Sequence, residues 1–371
     1  VTARRGDRVH GLLLVDKPAG PTSHDVVAWA RRALGTRAVG HTGTLDPAAT
    51  GLLVLLVGEA TKLAAYLVAD DKRYDAVVAL GAETDTLDAA GAIVATAPVP
   101  PDLDEAAIRA ALQGLLGRRP QVVPAYSAVK RDGRPLHERA RRGEIADLPA
   151  REVTLHAAEV TGLAWRVDAD GAAVVPTSGA GERRSPGTPC AQDAAREARP
   201  RALEVALRLH TGSGYFVRSL ARDLGRALGT RGHLRSLRRI AAGRYALPGA
   251  GDPGPHAAPP PIPGERLRAA AGGDGAARAA VAAALAPLAE ACRGLPTLVL
   301  SASGVEDARC GRTLTAEGFA DPGALAAMAA RLDGDPGHVV VAVASDGEPV
   351  ALVRTLRGDG ARARVVRGFA L

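Results

Sequence analysis

The chain has 371 residues, enough for two domains and a sizeable core, and its 47% hydrophobic and 23% charged residues are an ordinary globular balance. A net charge of +7 and a pI near 9.7 favour a polyanionic partner, although only four of the 47 basic residues are Lys and an arginine-rich chain is equally what a GC-rich genome produces. Cys190, Cys292 and Cys310 form no C-x-x-C pair, which supports neither a zinc site nor a disulfide framework, and with no charge-free run of 18 apolar residues and no apolar core in Val1 to Val9 the expectation is a cytoplasmic chain that is neither secreted nor membrane-inserted.

In chain order, His10 to Val15 is an apolar run of strand length. Asp25 to Leu34 then places Val26, Val27, Ala30 and Leu34 at helical spacing, with Thr22 or Ser23 as N-cap. Gly51 to Val57 reads as a buried strand, and Tyr74, Ala76, Val78 and Leu80 fall on one face of another. Asp104 caps a second helix through Leu116. Further on, Leu203, Val205, Leu207 and Leu209 alternate as a strand, Gly212 to Gly214 breaks it, and Phe216 to Leu228 reads as an amphipathic helix. Strands and helices mixed without a strict βαβ repeat predict an α+β fold.

Two stretches interrupt this pattern. Asp168 to Pro200 is rich in Gly, Ser, Pro, Ala and Arg without periodicity and reads as a flexible insertion. Pro248 to Pro263, ending in PPPIP, reads as a linker. Beyond it, Ala276 to Ala291 is expected to be an Ala-rich helix, followed by short strands around Val339 to Ala344, Val350 to Thr355 and Ala363 to Val366. The expected organisation is a large N-terminal domain over 1–248, a linker over 249–265 and a C-terminal helix and β-rich domain over 266–371.

The segment with the most chemical content is Gly40 to Leu53, GHTGTLDPAATGLL, which sets Asp46 between a Gly-Thr-rich turn and a buried strand. An Asp before Pro is an ordinary turn initiator and, read alone, serves backbone N–H groups. His41, Thr42 and Thr44 add polar groups within five residues, and the glycines let a ligand come close to the backbone. No strand-to-helix phosphate loop accompanies it, since Gly179 to Gly181 lacks that setting.

The pattern G-H-x-G-x-L-D-P-x-A-x-G-x-L resembles the active-site motif of the TruB family of tRNA pseudouridine synthases. Five further segments are similar to that family in the same order: GLLLVDKPAGPTS at Gly11 to Ser23, Lys72-Arg73-Tyr74, PAYSAVKRDGRPLHERARR at Pro124 to Arg142, GYFVR at Gly214 to Arg218, and Leu237-Arg238-Arg239. The resemblance implies a pseudouridine synthase fold, with a mixed and mainly antiparallel central sheet flanked by helices and loops. The tail is weakly similar to a small PUA-like β-rich domain, against the alternative of an unrelated small α+β domain.

By the same resemblance Asp46 is the catalytic carboxylate, acting at C1′ as nucleophile or taking a proton from C2′. Arg218 would pair with it, where the bland alternative is a solvated stripe of Arg218, Arg222 and Arg226. Tyr74 would stack on the flipped uracil and help remove its C5 proton, and His41 would support the RNA from which the base is everted. Leu237 would offer the base an apolar wall. Lys17, with Pro18, would shape the pocket, unless it is a solvated strand-end charge. Phe216 stands where the family usually has Tyr, with Tyr215 one residue earlier, so a ring is kept and a hydroxyl is lost. The implied partner is the T-stem-loop of tRNA, modified at uridine 55 and gripped by Lys130, Arg131, Arg134, Arg139, Arg141 and Arg142. No cofactor or metal, no protein partner and a monomer are expected. Rival readings are a noncatalytic RNA-binding protein on the same fold and an RNA-guided synthase working in a ribonucleoprotein.

Overall fold

Period-two alternation builds the larger sheet. In the computed structural model, which describes residues 9–68, 71–131, 133–144, 148–167, 171–172, 201–250, 259–332, 339–356 and 362–370, the chain divides into two units. One comprises Asp46–Leu52 and Ala69–His256 and the other Val1–Leu45, Leu53–Val68 and Ala257–Leu371. Eight strands are numbered in chain order: β1 (Gly11–Lys17), β2 (Val39–His41), β3 (Thr50–Val57), β4 (Lys72–Leu80), β5 (Gly117–Val122), β6 (Ala150–Val167), β7 (Arg201–Thr211) and β8 (Gly232–Ala242).

In the first unit β6, β7, β4 and β8 lie side by side and antiparallel, β5 pairs with the start of β6, and the Thr50–Gly51 end of β3 adds to β8 in parallel. Tyr74, Ala76, Val78 and Leu80 of β4 and Leu203, Val205, Leu207 and Leu209 of β7 all face one core. Two helices cover that face, Glu105–Gln113 through Ile108 and Leu112, and Val217–Ala227 through Leu220, Ala221 and Leu224. The first ends at Gly114, short of the predicted Leu116, because Gly is a poor helix former that readily terminates the ladder. The opposite face is wet and carries the Arg208–Asp75 cross-strand ion pair.

In the second unit β1 pairs in parallel with Ile262–Pro263, and β2 runs antiparallel to Leu55–Val57. The helix Ser23–Leu34 starts in a capping box: the Asp25 N–H donates to the Thr22 hydroxyl and the Thr22 N–H donates to the Asp25 carboxylate. The Thr22 hydroxyl, donating to the same carboxylate at 2.7 Å, and next the Thr22 N–H hold the Asp25 carboxyl below its ordinary value. The C-terminal part forms a five-stranded sheet in the order Thr297–Val299, Val340–Val343, Pro349–Thr355, Arg362–Gly368, Leu314–Thr315, with Leu298, Phe319, Leu325 and Val353 in its core.

The Ala-rich helix differs from expectation. It is two helices, Gly275–Ala284 and Leu288–Cys292, because Pro287 cannot donate to a helical ladder and Ala286 instead exchanges both backbone hydrogen bonds with Leu12, each 2.9 Å. The predicted insertion lies outside the described residues except for the short strand Gly171–Ala172, as does 251–258 of the predicted linker. Among the described residues no helix is long and apolar enough to cross a membrane.

Candidate active site

Asp46 opens a turn in which its carbonyl accepts the Ala49 N–H at 3.1 Å, with Pro47 setting the second position. The residue before it is held firmly: the Ser23 hydroxyl accepts the Leu45 N–H at 2.8 Å and donates to the Leu45 carbonyl at 3.0 Å. The turn therefore presents a side chain, and that of Asp46 is not spent on capping alone. Arg218, the second residue of the helix Val217–Ala227, meets it with a fork, Nε to Oδ2 at 2.9 Å and Nη2 to Oδ1 at 3.1 Å. Such a bidentate pair fixes the plane of the carboxylate as well as its position.

The rest of the guanidinium is anchored in protein. Nη1 donates to the Thr86 carbonyl at 2.9 Å, Nη2 donates to the Tyr126 carbonyl at 2.9 Å, and Asp88 Oδ2 lies 3.9 Å from Nη1. The Arg218 side chain is 7% exposed and that of Asp46 38%, so the cation is sunk in protein while the carboxylate keeps an open edge. This rules out the solvated-stripe reading. Arg222 is also buried, donating to Asp223 and to the Val122 carbonyl, and only Arg226 is exposed, paired with Glu83.

One support of this pair had no predicted role. The turn from Thr84 to Gly91 delivers the Thr86 carbonyl and Asp88, whose Oδ1 accepts from the Thr86 hydroxyl at 2.7 Å and the Ala90 N–H at 3.0 Å. At its centre Leu87 has φ +62, a left-handed conformation that is unfavourable for a residue with a Cβ, by about 1 kcal/mol. Its burial and the Leu234 N–H to Leu87 carbonyl bond hold it there. The run TDTLDAAG is the sequence signal for a polar turn, but nothing in it announces an arginine 132 residues away.

Tyr74 sits on β4 with its ring in the core and Arg239 of β8 as its cross-strand neighbour. Arg239 is 2% exposed; its Nε donates to the Leu52 carbonyl at 2.7 Å, and its guanidinium hydrogen-bonds the Tyr74 hydroxyl. Burial pulls Arg239 below the ordinary arginine value, against the opposing pull of Tyr74. This arginine was recognised in sequence only as part of an L-R-R match. Its position depends on Gly51, which lies beside it in the parallel β3–β8 register with φ +99. A Cβ there would stand 2.3 Å from the Arg239 carbonyl oxygen and 2.7 Å from its nitrogen. Gly51→Ala is accordingly expected to cost more than about 2 kcal/mol, read as a lowered urea midpoint.

Leu237 pairs with Ala76 across the same strands and packs, half-buried, against the core that holds Tyr74. Phe216 and Tyr215 part company. Tyr215 packs on the main core, where burial pushes its phenol up, whereas Phe216 joins Val123, Val129 and Leu136 in a small separate cluster. Gln121 clamps the Phe216 backbone, accepting its N–H at 3.0 Å and donating to its carbonyl at 3.2 Å. Phe216→Ala is therefore expected to impair activity more, and Tyr215→Ala to lower stability more, by about 2–3 kcal/mol; activities and urea midpoints of the two variants check this, and the reverse order of activity losses would show the aromatic register to be wrong.

Lys17 and His41 fall in the other unit. Lys17 is fully buried at the end of β1 and donates to the Pro18 carbonyl at 2.9 Å, so it is no solvated strand-end charge. His41 ends β2; its Nδ1 accepts the Gly43 N–H at 3.3 Å, and its ring meets His24 edge-on with centroids 5.8 Å apart. Of the basic segment, Lys130, Arg131, Arg134, Arg141 and Arg142 are exposed and Arg139 is half-buried, on a hairpin and the short helix Leu136–Arg141.

Comparison with known proteins places the chain in a family. Residues 31–173 match the TruB family pseudouridylate synthase (N terminal domain). The chain is 48% identical over 240 residues to tRNA pseudouridine synthase B of Deinococcus radiodurans, covering 64% of this chain and 75% of that protein. It is 45% identical over 237 residues to tRNA pseudouridine synthase B of Thermobifida fusca, covering 64% and 71%. Among solved structures, a Cbf5-Nop10-Gar1 complex matches with a TM-score of 0.60 at 22% identity, over 97% of this chain and 85% of that one. An H/ACA RNP bound to a substrate RNA containing 2'-deoxyuridine matches with a TM-score of 0.59 at 21% identity. These likenesses establish the pseudouridine synthase fold, and the five-stranded C-terminal sheet is its PUA-like element. With such identity over three-quarters of a curated relative, the chain belongs to the TruB family of pseudouridylate synthases and is an isomerase.

Proposed function

We propose that this chain isomerises uridine 55 in the T-loop of tRNA to pseudouridine, with Asp46 as its catalytic carboxylate. The observation that carries the proposal is the forked Arg218–Asp46 pair, which fixes the plane of one carboxylate while leaving its edge open. In the reaction the N1–C1′ bond breaks, the uracil turns, C5 bonds to C1′ of the same ribose, the C5 proton leaves and N1 takes up a proton, with no net redox change. Asp46 acts at C1′ as nucleophile or at C2′ as base; either role needs an anion in a fixed plane.

Around it, Tyr74 stacks on the extruded uracil, and its hydroxyl, tied to Arg239, is available for the C5 proton. Leu237 walls the base, Phe216 packs where the family has Tyr, His41 supports the RNA left behind, and Lys17 shapes the pocket with Pro18. The exposed arginines between Lys130 and Arg142 bind phosphates of the T-stem, favouring recognition by shape and backbone. The catalytic domain runs over 1–248, the linker over 249–265 and the C-terminal RNA-binding part over 266–371, in a cytoplasmic monomer that needs no protein partner.

The deciding experiment is tritium release from C5-labelled uridine in tRNA transcripts by the purified chain alone. Near-stoichiometric release from an isolated T-stem-loop, and none when the target uridine is replaced by cytidine, is the expected result. Release only when a guide RNA or protein partners are added would instead place the enzyme in a ribonucleoprotein.

A further inference from the structure

On the wet face of the sheet, away from the Arg218–Asp46 pair, three adjacent strands bring together Asp71, His156 and His210. Asp71 Oδ2 lies 3.3 Å from His156 Nε2 and 3.2 Å from His210 Nε2, and the two imidazoles are 4.8 Å apart between centroids. The convergence is built into the backbone. His210 is the last but one residue of β7, facing away from the core that receives Leu209. On β6 a bulge falls between Leu155 and Ala157, so His156 is the extra residue, turned to the His210 side instead of following Leu155 inward. Asp71 immediately precedes β4, and its backbone is tied down by the Gly243 N–H, which donates to the Asp71 carbonyl at 2.8 Å.

We propose that Asp71, His156 and His210 form a binding site for a borderline divalent transition-metal ion of the Zn2+ class, with ligands from β6, from β7 and from the residue that leads into β4. The donor set of two imidazoles and one carboxylate is that of such ions and not of Mg2+ or Ca2+, which prefer oxygen alone. Bond lengths of about 2.0–2.1 Å around a tetrahedral ion put neighbouring ligand atoms about 3.3 Å apart, and the two Asp71–His separations already have that span. All three ligand atoms lie within 4.8 Å of one another, so a small closure of the two imidazoles completes the face. Both rings bind in the neutral form by carrying their proton on Nδ1, freeing Nε2 for the ion. Arg73, the cross-strand neighbour of His210, shares this face and tempers the affinity for a cation. A fourth position stays open to water, and the bound ion ties the start of β4, three residues before Tyr74, to β6 and β7.

The test uses the full chain, stripped with EDTA, dialysed and titrated with ZnCl2 by calorimetry, and with CoCl2 by visible absorption. The expected result is one site whose affinity falls at least about tenfold in each of Asp71→Asn, His156→Gln and His210→Gln. Co2+ d–d bands should appear in the wild type and be lost in all three. Because these side chains are exposed, the variants should keep the wild-type circular dichroism, and Zn2+ should raise the melting temperature of the wild type alone. Equal Zn2+ affinity in wild type and variants, or no wild-type binding above that of a denatured control, would overturn the site.

Discussion

Asp46→Asn is expected to abolish pseudouridine formation, with tritium release falling on the order of 10^4-fold or more, the scale on which a nucleophile or acid–base group acts. The substitution keeps size and shape and removes the charge. Arg218 retains its bonds to the Thr86 and Tyr126 carbonyls and its proximity to Asp88, so the guanidinium is not stranded and the helix keeps its place. RNA affinity, which we propose rests on the exposed cations between Lys130 and Arg142, should stay within about threefold of wild type by filter binding. Selective loss of turnover with binding intact identifies a chemical role; wild-type turnover in the variant would remove Asp46 from the reaction.

The second large effect is expected at Arg218. Lysine conserves the charge but is a single point donor, and cannot supply at once the fork to Asp46 and the bonds to two carbonyls. Arg218→Lys should lower kcat on the order of 10^2- to 10^3-fold, the range for loss of one preorganised electrostatic contact, with KM for tRNA little changed. Arg218→Met should add a stability loss of about 3–5 kcal/mol, since Asp88 and two carbonyls lose their shared cation inside the protein. Urea denaturation separates the two effects: a lysine variant folded as well as wild type but slow in single turnover is the expected pattern. Full kcat in Arg218→Lys would show that the fork has no bearing on the chemistry.

Local rules made much of this protein readable. Thr22 and Asp25 announce a helix start by their spacing alone, because both partners of a capping box lie within one turn. The alternations from Tyr74 to Leu80 and from Leu203 to Leu209 reveal their buried faces, because an unbroken strand repeats every two residues. The 18-residue strand β6 went unseen for the opposite reason. Bulges at Leu155/Ala157 and Val160/Gly162 shift its phase twice, so no single alternation spans it. The Ala-rich segment looked like one helix because composition is silent about Ala286 exchanging hydrogen bonds with Leu12.

The same division runs through the candidate site. The resemblance to the TruB motifs singled out Asp46, Tyr74 and Arg218, whereas the residues alone left Arg218 open between an ion-pair partner and a surface charge. Burial and the fork to Asp46 decide that, across 172 residues of chain. The strained Leu87 turn and the Arg239–Tyr74 contact were illegible in sequence, because each depends on a distant partner: a core that holds a left-handed leucine, and a glycine at position 51 that lets two strands touch. By itself, then, the order of residues determined the α+β class, the helix starts and the buried strand faces, all properties of neighbours along the chain, while the candidate carboxylate came from the resemblance of its motif to a family. Only the tertiary structure decided which cation holds that carboxylate, which arginine meets the tyrosine and where two histidines converge, because strand register and bulges, not sequence distance, bring such groups within bonding range.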